Sequence, residues 1–128
     1  MAWDVEFHAE FVPEFEALAG AVQDELLAHV TVLEVFGPHL GRPRVDTLHG
    51  SRYANMKELR FDAAGGVWRF AFAFNPVRRG VILCGGDKSG GSQTRFYRGL
   101  IARADRRFAS HVATARHAIS ATRVRKRP

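Results

Sequence analysis

Hydrophobic and polar positions recur along the 128-residue chain with two different periods, which predicts a small fold with both strands and helices. Residues 2–8 alternate with period two, which indicates a first strand. A helix is expected to start at Pro13, with acidic residues in its first turn. A second helix is predicted over 21–36, where apolar residues recur every three or four positions, and Gly37 and Pro38 end it. The apolar positions of this helix, all expected on one buried face, are Val22, Leu26, Leu27, Val30, Leu33 and Phe36.

The strongest alternation in the chain lies over residues 67–74. Large aromatic side chains occupy one set of positions, and Val, Ala and Arg69 occupy the other, so one strand with two unlike faces is predicted. Residues 56–61 form the strand before it, and the Ala-Ala-Gly-Gly sequence at 63–66 indicates a hairpin turn. The short apolar run at 81–84 is typical of a central strand.

The last predicted element is a helix from Gln93 to about Thr114, in which apolar residues recur every four positions. A glycine-rich loop at 85–91 precedes it, and a short strand is also expected near 45–48. The predicted order is β-α-α-β-β-β-α. We therefore expect an α+β fold, with a small and mostly antiparallel sheet packed by helices.

Length and composition favour one domain over residues 1–115, followed by a basic, flexible tail over 116–128. The chain is 46% hydrophobic and 11% aromatic, enough for a packed core. It contains no apolar run long enough to span a membrane, and its single cysteine excludes an internal disulfide. A cytoplasmic protein that needs no cofactor or metal and contacts no membrane is expected.

Charge is distributed unevenly along the chain. Residues 1–40 contain eight acidic residues and no Lys or Arg, whereas residues 41–128 contain all 19 basic residues and five acidic ones. The net charge is +6, and 16 of the basic residues are Arg. Arginine binds phosphate through two parallel hydrogen bonds, which favours a nucleic-acid partner over a merely solvated basic surface.

The candidate chemistry lies on the hairpin. Arg60 and Arg69 belong to neighbouring strands, and Arg69 interrupts a face of small residues. A buried and unpaired arginine is costly, so we expect this face to be open and to form a concave basic surface. The alternative is an ion pair between Arg69 and Glu58 across the hairpin. Lys88 follows the next strand, whereas Lys57 has the opposite parity to Arg60 and is expected on the other face.

Such a basic surface suits RNA better than DNA. Guanidinium and ammonium groups can bind a scissile phosphate, stabilise the charge of its transition state and promote attack by the neighbouring 2′-hydroxyl, which DNA lacks. Gly85–Ser89 resembles a phosphate-binding loop but lacks the Walker spacing, because Asp87 precedes Lys88. Cys84, within an apolar run, is expected to be a core residue.

Several motifs together resemble the HigB-like branch of the RelE/ParE superfamily of type II toxins, which also includes phage-derived Gp49-like proteins. The resemblance covers residues 3–112. It implies a RelE-like, microbial-ribonuclease type of fold and an endoribonuclease that cleaves mRNA on the ribosome. The motifs are Lys57-Glu58-Leu59-Arg60-Phe61, Trp68-Arg69-Phe70, Gly86-Asp87-Lys88, Arg95-Phe96-Tyr97 and Ala102-Arg103-Ala104-Asp105.

The resemblance implies roles for four residues. Arg60 and Arg69 would contact phosphate, Lys88 would stabilise charge, and Tyr97 would stack on a base or transfer a proton. A second set, expected to bind RNA without taking part in the chemistry, comprises Lys57, Arg95 and Arg98.

The resemblance also implies a partner, a cognate antitoxin with a helix-turn-helix domain, through which the toxin would reach operator DNA only indirectly. A second class of function stays open. The ParE branch inhibits gyrase without cleaving RNA, and a basic RNA-binding domain would have a similar composition.

Overall fold

The structure, a computed structural model, describes the backbone of residues 2–126 and the side chains of residues 2–114. The α+β class is confirmed, and the short strand expected near 45–48 is present. The elements in chain order are β1 (Asp4–Phe7), α1 (Val12–Glu16), α2 (Gly20–Phe36), a 3-10 turn (Gly37–His39), β2 (Val45–Thr47), β3 (Lys57–Ala63), β4 (Gly66–Phe74), β5 (Arg79–Asp87) and α3 (Gln93–Lys126).

The five strands form one sheet in the order β1-β5-β4-β3-β2. All neighbours are antiparallel except β1, which runs parallel to β5. The predicted hairpin between β3 and β4 is confirmed, and Ala64 and Gly65 at its turn have positive φ angles of 50° and 76°. Two consecutive positive φ angles are typical of tight hairpin turns, whose twist matches that of the strands.

Helices cover both faces of the sheet. On one face, Phe70 and Phe72 of β4 pack with buried residues of α2. On the other face, Ala71 and Ala73 of β4 pack with Leu100 and other residues of α3. The two unlike faces predicted for residues 67–74 are therefore confirmed, and small residues on the second face leave room for α3.

Strand β5 continues to Asp87, beyond the expected start of the glycine-rich loop at residue 85. Gly85 and Gly86 pair with residues of β4, and a Cβ atom at Gly85 would collide with the Phe70 ring. The Asp87 carboxylate accepts hydrogen bonds from the backbone N–H groups of Val67, at 3.0 Å, and of Ser89, at 2.8 Å. The glycines thus serve close packing inside the strand rather than a flexible loop.

Helix α3 extends to Lys126, so the expected end near Thr114 is wrong. The flexible tail expected over 116–128 falls on residues whose side chains lie outside the described part of the chain, as does the backbone of 127 and 128. Over the described residues, no helix combines the length and the apolar character that a membrane span requires.

Candidate active site

Strands β3 and β4 place two arginines directly opposite each other on the face that α3 covers. Arg60 pairs with Arg69 in the β3–β4 register. Like charges in this arrangement repel, but each arginine has its own carboxylate. Arg60 Nη1 lies 3.2 Å from Asp46 Oδ2, and Arg69 Nε lies 3.8 Å from Glu58 Oε1. Because Glu58 is two residues from Arg60 on β3, the two side chains share one face.

Arg69 is buried, so the expectation of an open concave surface around it is wrong. Its exposed fraction is 6%, and the aromatic side chains of Phe96 and Tyr97, in the first turn of α3, pack on this region. Arg69 Nη1 donates to the Trp68 carbonyl oxygen at 2.9 Å, while its buried Nε has no hydrogen-bond partner. The alternative from the sequence, an ion pair with Glu58, is confirmed, and this pairing allows the helix to cover a charged residue.

Glu58 is the buried carboxylate of this cluster. It is 6% exposed, and the Tyr97 hydroxyl donates to its Oε1 at 2.9 Å. Burial raises the pKa of Glu58 above its ordinary value, although Tyr97 and Arg69 act in the opposite direction. Burial and the carboxylate together raise the pKa of Tyr97. Tyr97 therefore keeps its proton at neutral pH and donates it in the hydrogen bond to the Glu58 carboxylate.

A pocket of about 210 Å³ opens beside this cluster and is lined by residues of β2, β3 and α3. Glu58 and Tyr97 line it, and so does His49, an exposed residue that follows β2. The pocket thus brings a buried carboxylate, a phenol and an imidazole within reach of one bound group. Its lining residues are Asp46, Thr47, Leu48, His49, Glu58 and Tyr97.

The edge of the pocket toward β2 is basic. Asp46 Oδ2 lies 2.6 Å from Arg42 Nη2, so this one carboxylate holds the guanidinium groups of Arg42 and Arg60 together. The hydrogen bond from Arg42 lowers the pKa of Asp46, which stays ionised. The Arg42 side chain is 73% exposed. Two guanidinium groups around one anion form an arrangement that also suits a phosphate.

Lys88 follows the strand that pairs with Arg69, whereas Lys57 lies on the opposite face of the sheet from Glu58 and Arg69. The Lys88 backbone N–H donates to the Val67 carbonyl oxygen at 2.8 Å, which extends the β4–β5 ladder past Gly86, the partner of Arg69. Lys57 lies on the α2 face of the sheet, as its parity predicted, and its Nζ donates to the Pro38 carbonyl oxygen at 2.8 Å.

The two remaining residues of the expected RNA surface are at the start of α3. Arg95 and Arg98 are both exposed, on either side of the half-buried Tyr97. Both therefore face solvent in the first two turns of α3, the same turns that carry Tyr97. Their contact with RNA stays a prediction.

Sequence reasoning missed Asp46 and His49, and it gave Glu58 only the role of an ion-pair partner. The signal for Glu58 was its parity, because it shares a face with Arg60 and precedes it by two residues. Asp46 lies in a three-residue strand whose pairing with β3 no local pattern reveals. His49 belongs to the pocket only because that pairing positions the loop after β2.

The described residues offer neither a reactive thiol nor a cluster of metal ligands. Cys84 is buried in the core, as expected, and burial raises the pKa of its thiol to about 11, which keeps it unreactive. Among the side chains of residues 2–114, His, Cys, Asp and Glu form no group of three that could hold a metal ion.

Comparison with known proteins shows which family this chain resembles. The family model described as phage-derived protein Gp49-like matches residues 13–109. A protein of Mycobacterium tuberculosis (strain H37Rv) named "Putative toxin HigB2" is 46% identical over 89 residues, which are 69% of this chain and 44% of that protein. A second, named "Putative toxin HigB3", is 41% identical over 107 residues, 80% of this chain and 91% of that protein.

A solved structure shares the fold. It is the free state of an E. coli RelE toxin in which two arginines are replaced by alanine, and it superposes with a TM-score of 0.55 at 12% identity. The match covers 80% of this chain and 96% of that one. The family model and the two relatives together show that this chain belongs to the phage-derived Gp49-like family, in which it carries a RelE-type fold.

Proposed function

We propose that this chain is the toxin of a type II toxin–antitoxin pair and that it cleaves mRNA on the ribosome at the pocket beside Glu58. The observation that carries the proposal is a buried carboxylate with a raised pKa, held by the Tyr97 hydroxyl next to two arginines. The names of the two relatives support the toxin role. The net charge of +6 supports a polyanionic substrate.

The chemistry that suits these groups is transesterification within RNA. Glu58 accepts the proton of a 2′-hydroxyl, and the 2′-oxygen attacks the adjacent phosphorus. The bond from phosphorus to the 5′-oxygen breaks, and that oxygen takes up a proton. The products are a 2′,3′-cyclic phosphate on one fragment and a 5′-hydroxyl on the other.

The arginines supply the charge that this reaction needs. The phosphate gains negative charge in its transition state, and preorganised cations stabilise it more strongly in a pocket that excludes water. Arg60, which binds the pocket residue Asp46, would contact the phosphate directly, while Arg69 would act from its buried position beside Glu58. Lys88 adds a further positive charge at the end of β5.

Two groups could return the proton to the leaving 5′-oxygen. Tyr97 donates to Glu58 in the free protein, so it already holds a proton at the reacting face. His49 lines the same pocket, and an imidazole can donate a proton to a leaving oxygen. Replacing each residue in turn identifies the general acid. The variant that lacks this acid should no longer show the fall in cleavage rate at high pH.

The experiment that tests the proposal is induced expression followed by mapping of mRNA 5′ ends. Growth arrest with new 5′ ends inside translated messages supports it, and a Glu58→Gln variant should abolish both. Intact mRNA with DNA breaks in arrested cells would favour the second candidate, a gyrase inhibitor of the ParE type.

The proposed partner is an antitoxin with a helix-turn-helix domain, through which operator DNA would be reached, and the proposed location is the cytoplasm. Membership of a family with relatives named as toxins supports this partner. Co-expression with the product of the neighbouring reading frame should restore growth. A partner that binds without restoring growth would contradict its role as an antitoxin.

A further inference from the structure

Helix α2 carries a second row of apolar side chains that faces solvent. Leu27 is 46% exposed and Val35 is 61% exposed, and Ala28 and Thr31 between them are also exposed. Spacings of three and four residues place all four on one side of the helix. We call this side the α2 stripe. The expectation that every apolar residue of the helix faces the core is therefore wrong for Leu27, and also for Phe36, which is 54% exposed.

The α2 stripe lies opposite the side of the helix that packs on the sheet. The core side is formed by Val22, Leu26, His29 and Leu33, all buried. Helix α2 thus has apolar residues on two sides, and only one of these sides packs against the sheet. Exposed apolar side chains on one side of a helix, with polar residues around them, are a pattern found at protein interaction sites.

Acidic residues surround the stripe. Glu25 and Glu34 lie on its two flanks by their positions on the helix, and Asp24 lies at its N-terminal end. Helix α2 contains no Lys or Arg, and neither does any other part of residues 1–40. Among the described side chains, four acidic residues that precede α2 pair with arginines of β5 and α3 instead, namely Asp4, Glu6, Glu10 and Glu14. Glu25 Oε1 lies 3.5 Å from His29 Nδ1, but among the described side chains no Lys or Arg pairs with the carboxylates of α2, which therefore remain available to a basic partner.

We infer that the α2 stripe binds a basic amphipathic helix of a protein partner, with apolar residues against Leu27 and Val35 and with Lys or Arg against Glu25 and Glu34. If the function proposed above holds, that helix belongs to the antitoxin. A second copy of this chain fits poorly, because its own α2 would bring carboxylates against carboxylates. RNA would be repelled by the same charges.

The α2 stripe and the pocket lie on opposite sides of the sheet. Helix α2 covers one face of the sheet, whereas Glu58 and Arg69 lie on the face that α3 covers. A helix bound on the stripe leaves the pocket unfilled. Variants of the stripe should therefore cleave RNA at the wild-type rate, which makes a failure of this inference distinguishable from a failure of the proposed function.

The test uses two synthetic helical peptides with the same leucine stripe, one flanked by Lys and Arg and the other by Glu. Calorimetric titration of the full chain should show binding of the basic peptide only, weakened by salt. Ala28→Arg should reduce the affinity about tenfold or more, because it places a cation in the centre of the interface. Ala102→Arg, the same substitution at an exposed position of α3, is the matched control and should change the affinity less than about twofold.

If Ala28→Arg does not fold, Val35→Ser takes its place in the titration, because it removes apolar area from the α2 stripe without adding charge. Equal binding of both peptides, or equal effects of the two arginine substitutions, would overturn the inference. Sedimentation of the chain alone is the second readout. A dimer that Ala28→Arg dissociates would show that a second copy covers the stripe, and this too would overturn it.

Discussion

At the scale of single residues, Arg69 and Glu58 illustrate what sequence could and could not predict. The parity of β3 and β4 correctly placed Arg60 and Arg69 on one face, opposite the large aromatic residues. The direction of that face, toward solvent or toward a helix, was not predictable, because it depends on how α3 returns across the sheet. Once α3 covers the face, the carboxylate of Glu58 becomes necessary as the partner of a buried guanidinium.

The burial of Arg69 changes the expected effect of removing it. Arg69→Ala removes the cation paired with the buried Glu58 carboxylate at 3.8 Å, so we expect the free energy of unfolding to fall by about 2–4 kcal/mol. Arg60→Ala, at a side chain that is 28% exposed, should cost less than about 1 kcal/mol. Chemical denaturation of both variants measures the difference. Equal small losses would contradict the buried ion pair.

The raised pKa of Glu58 predicts the acid limb of the pH–rate profile. A general base works only when it is ionised, so the cleavage rate should rise with pH through the pKa of Glu58 and then level off. Because burial raises that pKa, the midpoint should lie above the ordinary value of 4.5. Cleavage rates of ribosome-bound mRNA, followed from neutral pH down to the lowest pH at which the ribosome stays intact, measure it. A midpoint at or below the ordinary value would exclude Glu58 as the base.

At the scale of elements, the periodicity predicted both helices on the two sides of Gly20 and all the main strands. It did not predict which apolar residues of α2 face solvent, since Leu26 and Leu27 are equivalent in sequence and differ only in their angle to the sheet. It also missed the contact that joins α3 to α1. Arg107 donates to both carboxylate oxygens of Glu14, at 2.9 and 2.6 Å, and to the Leu83 carbonyl oxygen at 2.8 Å.

This contact should contribute strongly to stability. Arg107 is 5% exposed, and Arg107→Ala removes three hydrogen bonds at once, so a loss of about 2–4 kcal/mol is expected. Its neighbour Arg106 pairs with Glu10 at an exposed site, and Arg106→Ala should cost less than about 0.5 kcal/mol. Thermal unfolding of the two variants provides the comparison. A similar loss in both would show that burial of Arg107 is not what stabilises the junction.

The same junction predicts a pH dependence. The hydrogen bond from Arg107 lowers the pKa of Glu14 below its ordinary value of 4.5, so the folded state holds this carboxylate ionised. Its contribution to stability is present above that value and is lost as the pH falls through the lowered pKa. Glu14→Gln should therefore lose less stability than the wild type between pH 5 and 2. Parallel loss in both proteins would contradict this assignment.

At the scale of the whole molecule, the uneven charge noted in the sequence becomes a difference between regions of the fold. The acidic residues 1–40 form β1, α1 and α2, whereas the pocket lies among strands and a helix that carry the arginines. The composition predicted a basic protein for a polyanion, but only the fold shows that the acidic helix α2 lies on the face of the sheet away from the pocket. Binding of a single-stranded RNA should weaken steeply with salt.

Product analysis in a purified translation reaction tests the central claim most directly. Wild-type protein should cut ribosome-bound mRNA and leave 5′-hydroxyl ends. Glu58→Gln should cut about 10²–10⁴ times more slowly while remaining folded, and Glu10→Gln, at an exposed carboxylate away from the pocket, should keep the wild-type rate. Ends that carry a 5′-phosphate, or a folded Glu58→Gln variant that cleaves as fast as the wild type, would contradict the account.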